Sequence, residues 1–226
     1  MKKRCLTILM SVLVLTMAFA GGASAKTVIR TGIGYMYANL QDVNEILKAS
    51  GFKELSNNHL YATTTTLFEL NKVDNLYIGF SNSNSRTSSK NDNKDIAVFS
   101  TNNFSGVVGY GFDISDKVGI EVGTGLGLAV SRFETRRQFV SEGDNPILGL
   151  TQQGNRVTIW RPYLAITPYV SLTAKFQFIS LDVSAGYDFN FGMGNWFDRM
   201  DPIENTKDVQ KTVKAGHISL GLSLAF

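Results

Sequence analysis

His217-Ile218-Ser219-Leu220-Gly221-Leu222-Ser223-Leu224-Ala225-Phe226 ends the chain in strict alternation. Ile218, Leu220, Leu222, Leu224 and Phe226 share one parity, and His217, Ser219, Gly221, Ser223 and Ala225 share the other. On a strand, successive side chains point to opposite faces, so this stretch has one apolar face and one small or polar face. A helix would mix the two sets. A soluble sandwich accounts for the alternation but not for the terminal aromatic.

The same period returns upstream. Ile179, Leu181, Val183, Ala185, Tyr187 and Phe189 alternate with Ser180, Asp182, Ser184, Gly186, Asp188 and Asn190. Val118, Ile120, Val122, Thr124, Leu126, Leu128 and Val130 alternate with Gly119, Glu121, Gly123, Gly125, Gly127 and Ala129. Phe104 to Asp113 and Leu164 to Leu172 read alike, and Ile29–Tyr37, Leu60–Leu70 and Leu76–Phe80 read more weakly. The pattern predicts eight strands, at about 27–38, 59–71, 75–85, 95–113, 117–137, 156–173, 177–191 and 212–226. The second has the least contrast, because Thr63 to Thr66 favours strand without distinguishing the faces.

The connections point to closure. Lys72-Val73-Asp74, Ile114-Ser115-Asp116 and Ala174-Lys175-Phe176 are short. The others, roughly 39–58, 86–94, 138–155 and 192–211, are long and polar. Long and short connections therefore fall on opposite ends, as in membrane barrels. The expected fold is all-β: an antiparallel up-and-down transmembrane barrel of about eight strands, with a short helix in the first long loop. In that loop Asp42 and Glu45 have capping-box spacing, Val43, Ile46 and Leu47 form an apolar stripe, and Gly51 is a stop signal. The bland reading of this helix is packing over the barrel rim; the functional one is a plug. The run Asn82 to Asn93 is polar and low in complexity, and is expected to be a solvated, mobile loop.

The N-terminus addresses the chain for export. Lys2, Lys3 and Arg4 precede an uncharged apolar run from Leu6 to Ala20, followed by small residues ending in Ala23-Ser24-Ala25. This reads as a cleaved signal peptide over 1–25, leaving one barrel domain over 26–226. The apolar run is shorter than the ~20 residues a spanning helix needs. Cys5 leaves with the signal, which excludes disulfides and cysteine chemistry from the mature chain. So do three basic residues, lowering the basic count from 22 to 19 against 19 acidic residues. A mature chain near neutrality gives no support for nucleic-acid binding.

An eight-stranded barrel has an interior about wide enough for side chains to fill it. Parity places Arg30, Glu69, Glu121, Arg161, Asp182 and His217 inside. Charges removed from water require partners, so these six are expected to form a structural network, with Arg30 meeting Glu121 or Asp182. The alternative use is an ion-selective constriction. Phe68, Phe112, Phe176 and Phe226 fall near the turn end, and Tyr35, Tyr37, Phe80, Trp160, Tyr187 and Phe189 near the loop end, as interfacial girdles would.

Tests for chemistry are negative. Gly123-x-Gly125-x-Gly127 lies within a strand with no helix following, the wrong setting for a phosphate loop. His217 and Ser219 share the inner face with no acid downstream, so a lipid-facing Ser-His-acid site does not assemble. Two histidines and no mature cysteine make zinc a poor fit, and Asp198, Asp201 and Glu204 read as solvated loop charges. No catalytic residue, metal site or cofactor is assigned. Arg132, Arg136, Arg137 and Lys214, at the loop end, are candidate contacts for phosphates of outer-leaflet glycolipid; the bland reading is solvated charge.

With these features together, the chain resembles the small eight-stranded outer-membrane barrels of the OmpA, OmpX and OmpW type. The likeness spans the mature chain and rests on architecture. Its terminal stretch, ending in Phe226, is similar to the insertion signal that such barrels present to their assembly machinery. The resemblance implies the bacterial outer membrane, periplasmic termini and extracellular loops. It implies outer-membrane lipid as a partner, with periplasmic chaperones and the assembly machinery during export. No subfamily is singled out, so no functional residue is carried over. The expected role is structural or surface-interacting, not enzymatic, with an unknown extracellular ligand. A narrow channel for small solutes or hydrophobic molecules comes second, and a lipid-modifying enzyme third.

Overall fold

The computed structural model describes residues 26–70, 73–137 and 156–226. The expected signal peptide and the whole connection over 138–155 lie outside them. Among the described residues eight strands build the barrel: β1 (Thr27–Ala38), β2 (Asn58–Glu69), β3 (Leu76–Lys90), β4 (Ile96–Ser115), β5 (Val118–Arg136), β6 (Arg156–Phe176), β7 (Ile179–Gly192) and β8 (Thr212–Ala225). Each pairs antiparallel with its successor. β8 returns to β1 in unbroken register from Val28↔Ala225 to Ala38↔Ala215. The sheet is a closed barrel with no free edge along its span.

Alternation sorts the faces. Ile33, Leu126, Leu172, Leu220 and Leu222 project outward and are about half or more exposed. Ser83, Asn103, Ser105, Ser171 and Asp188 are buried inside. A protein in water would invert this distribution; a barrel in lipid requires it. Tyr35 and Tyr37 toward the loop end, with Phe112 and Phe176 toward the turn end, are exposed at the margins of the apolar band.

The barrel is taller on one side. β3 to β6 run 15, 20, 19 and 21 residues, against 12 to 14 for β1, β2, β7 and β8. The upper inner face of this wall is apolar, with Ala97, Phe99, Phe133, Val157 and Ile159 buried. It is covered by the helix α1 (Gln41–Ala49) through Val43 and Leu47, together with Phe52, Leu55 and Trp196. A two-residue ladder, Phe197–Asp198 against Asp201–Pro202, extends the wall from β6 at Ile159 and Trp160.

Two expectations fail. Residues 82–90 are not a loop: β3 pairs with β4 from Leu76↔Tyr110 through Lys90↔Ile96. Ser83, Ser85 and Thr87 face the polar interior, while Asn82 faces out in the last row of the apolar band and Asn84 and Arg86 face out above it. Polar residues on both faces erase the hydrophobic period. The third connection is therefore only residues 91–95, an exception to the expected division of loop lengths. The capping box is also absent. Asp42 lies in the first turn and accepts from the Gln210 amide at 2.8 Å, while Asn39 accepts from the Gln41 amide at 3.0 Å. Glu45 accepts from Gln41 Nε2 at 3.0 Å. A tertiary contact has taken the carboxylate that local capping would use. Gly51 does follow the helix, at φ +72°.

Candidate functional sites in the lumen and at the rim

The interior is layered. At the turn end a cavity of about 150 Å³ is lined by Lys26, Asn75, Asp113 and Lys175 among others. Arg30 forms its roof, with Nη2 3.3 Å from Glu121 Oε2 and Nε 3.3 Å from Asp182 Oδ1. Tyr169 donates to Glu121 Oε1 at 2.6 Å, and Thr173 donates to Asp182 Oδ1 at 2.6 Å. Two carboxylates thus flank one guanidinium, each with a further hydroxyl donor, which is how buried charge is tolerated. A Cβ on Gly123 would stand 2.5 Å from the Tyr169 oxygen. This glycine makes room for a ring, a different task from cradling a phosphate.

Above this layer a chamber of about 50 Å³ is lined by hydroxyls and amides, including Thr65, Ser81, Ser83, Asn103 and Ser219. His217 closes it, stacked on Tyr61 at 4.6 Å between centroids, with Nδ1 3.9 Å from Asp188 Oδ2. Thr167 donates to Asp188 Oδ1 at 2.6 Å. Higher still, Met36, Tyr61, Ala129, Tyr163 and Val213 pack together, and the helix cap follows.

The structure thus brings Arg30, Glu121 and Asp182 together and separates the other three inward residues. His217 belongs to the Asp188 layer. Glu69 accepts from the Asn75 amide at 3.0 Å at the turn end. Arg161 is fully buried but meets no carboxylate among the described residues. Its Nη1 and Nη2 donate to the carbonyls of Val209 and Lys207, both at 2.7 Å, and it lies 5.5 Å from the Tyr163 ring centroid. The expected acid is replaced by loop carbonyls that converge on it. Asp188, Tyr169 and Tyr61 were not singled out from sequence. Asp188 and Tyr169 had the inward parity, but parity does not reveal which neighbours a residue meets.

The rim cations divide. Arg132 and Arg136 face out on β5 and share Glu134 with Arg156, at 3.3, 3.8 and 2.9 Å. Arg137 turns the other way, donating to the Ser50 carbonyl with its guanidinium 4.8 Å from the Phe52 ring centroid. Lys214 is exposed on β8, at the low side of the barrel. Phe226 exchanges backbone hydrogen bonds with Thr27 at 2.8 and 3.0 Å, its side chain exposed.

No family model matches the chain, and no curated protein matches its sequence. Solved structures do match in fold. A major outer membrane protein from Thermus thermophilus aligns over 90% of this chain and 100% of its own, at TM-score 0.58 and 13% identity. Neisserial surface protein A aligns over the same shares at TM-score 0.52 and 11% identity. Ail, the attachment invasion locus protein of Yersinia pestis, in complex with the heparin analogue sucrose octasulfate, does so at TM-score 0.52 and 14% identity. At these identities the likeness concerns architecture: this chain has the closed eight-stranded fold of small outer-membrane β-barrels.

Proposed function

We propose that the chain is an integral outer-membrane protein with a structural or surface-interaction role and a lumen that does not conduct. Both termini and the short turns face the periplasm, and the long connections and helix cap face outside. The observation that carries this reading is the filled interior. The Arg30 layer closes the lumen below, while the His217–Tyr61 layer, the apolar cluster above it and α1 close it higher up. The chamber between them, about 50 Å³, has room for little more than water. What remains for function is the outer surface and the loop end.

Purified protein in planar lipid bilayers tests this. The expected record is a flat baseline; steady single-channel steps would favour the solute-channel reading instead. Heat-modifiable migration on a gel should report the folded barrel, and protease added to intact cells should cut only at the loop end. The enzymatic alternative predicts an altered lipid A acyl pattern in a host lacking the protein; an unchanged pattern is expected. Because the matched Ail structure holds a heparin analogue, sulfated glycans are one ligand class to test on the loop end.

A further inference from the structure

We infer that the outer face of the tall wall is a docking surface for phosphorylated glycolipid in the leaflet around the barrel. This rests on the proposed outward orientation of the loop end. The register aligns three outward rows across β3 to β6: Arg86, Ser100, Arg132 and Trp160; Ser88, Val98, Glu134 and Thr158; Lys90, Ile96, Arg136 and Arg156. Five of these positions are cationic and one is anionic. Arg136 stands directly opposite Arg156, and like charges so placed on a sheet repel. Glu134 reaches three of the arginines and can neutralise only one. The adjoining ladder adds both signs, with Asp198 and Asp201 against Arg199, so the face stays net positive.

Height selects the partner. The last apolar outward row holds Phe104, Leu128 and Leu164, followed by Asn102, Val130 and Pro162, and then the Arg86–Arg132 row. Four residues along a strand are roughly 13 Å before tilt, and less along the membrane normal. That brings the Arg86–Arg132 row to the headgroup region, about 5–7 Å deep on each side of the hydrocarbon, with the Lys90–Arg136–Arg156 row four residues above it. Arginine binds phosphate through a planar fork of donors, which suits a surface meeting phosphates side-on. The apolar packing behind the wall, with Phe99, Phe133 and Ile159 under α1, holds these positions still. On the low side Lys214 stands without such neighbours, so the barrel should carry its glycolipid on one face.

The test reconstitutes the protein in phosphatidylcholine nanodiscs doped with diphosphoryl lipid A or with its dephosphorylated form. Retained lipid A is counted by native mass spectrometry. Wild type should keep the diphosphoryl form at least about tenfold better than the dephosphorylated one. R132S/R136S/R156S should lose that preference, and K214S should keep it. Glu134→Gln should raise retention, because it frees the arginines from their shared carboxylate. Equal retention by wild type and the triple variant overturns the proposal. So does equal retention of the two lipids, or no gain in E134Q. The gel shift, read on every sample, reports folding separately. Wild type failing to migrate as a folded barrel would sink the membrane reading and this one together; normal migration with no lipid preference sinks only this one.

Discussion

At the scale of single residues, the Arg30 layer holds three buried charges that depend on one another. Replacing Arg30 by Met strands two carboxylates whose side chains are under a tenth exposed. The expected loss is ~3–5 kcal/mol, measured by denaturant unfolding in detergent or lipid. Removing all three charges together (Arg30→Met with Glu121→Gln and Asp182→Asn) should recover a large part of that loss, because no charge is then left without a partner. Gly123→Ala should cost ~1–3 kcal/mol by driving a methyl against the Tyr169 ring. Arg161 is a different case. Its partners are carbonyls of the 193–211 connection, so Arg161→Met should loosen that loop. Limited proteolysis there should speed up while the gel shift of the barrel persists. Equal cleavage of variant and wild type would show that the loop is held by something else.

At the scale of elements, β3 and α1 show where pattern and context part. β3 remains a strand to Lys90 because its hydroxyls fill the polar interior and its backbone bonds to β4. Amides at 83, 85 and 87 should therefore resist hydrogen exchange; rapid exchange would restore the loop reading. The helix is held by its apolar stripe, and Leu47 is 1% exposed within that core. Leu47→Ala should weaken its docking by ~2–5 kcal/mol. Faster tryptic cleavage at Lys48 and Lys53, with strand protection unchanged, would record it. The helix stripe and the Gly51 stop were legible because they are local. The use of Asp42 was not, because Gln210 lies far along the chain and arrives only when the loops pack.

At the scale of the whole molecule, closure is decisive. Every strand pairs on both sides, so no strand leaves its backbone unpaired in the belt, and the outward side chains there are mostly apolar. An arginine at Leu126, in the middle of the β5 face, should cost ~2–4 kcal/mol in a bilayer. Folding titrations in lipid would measure it, and a value near zero would argue that this face is not in hydrocarbon. The proposed seal has more than one level, the Arg30 layer below and the His217–Tyr61 layer above it, so deleting α1 alone should leave bilayers silent. Steady current from that deletion would show that the Arg30 layer does not seal the lumen.

The amino-acid order by itself determined the alternation, the strand count and which residues face in, because a period of two follows from strand geometry alone. That is why Arg30, Glu121 and Asp182 could be set on one inner surface before any pairing was known. Only the tertiary structure decided that Arg161 would meet carbonyls, that Asp188 would face His217, that residues 82–90 would be strand, and that α1 would cap the tall wall. Each of these depends on shear and loop packing, which bring residues distant in sequence to the same height in the barrel. Parity tells a side chain which face it is on, but not what it will meet there.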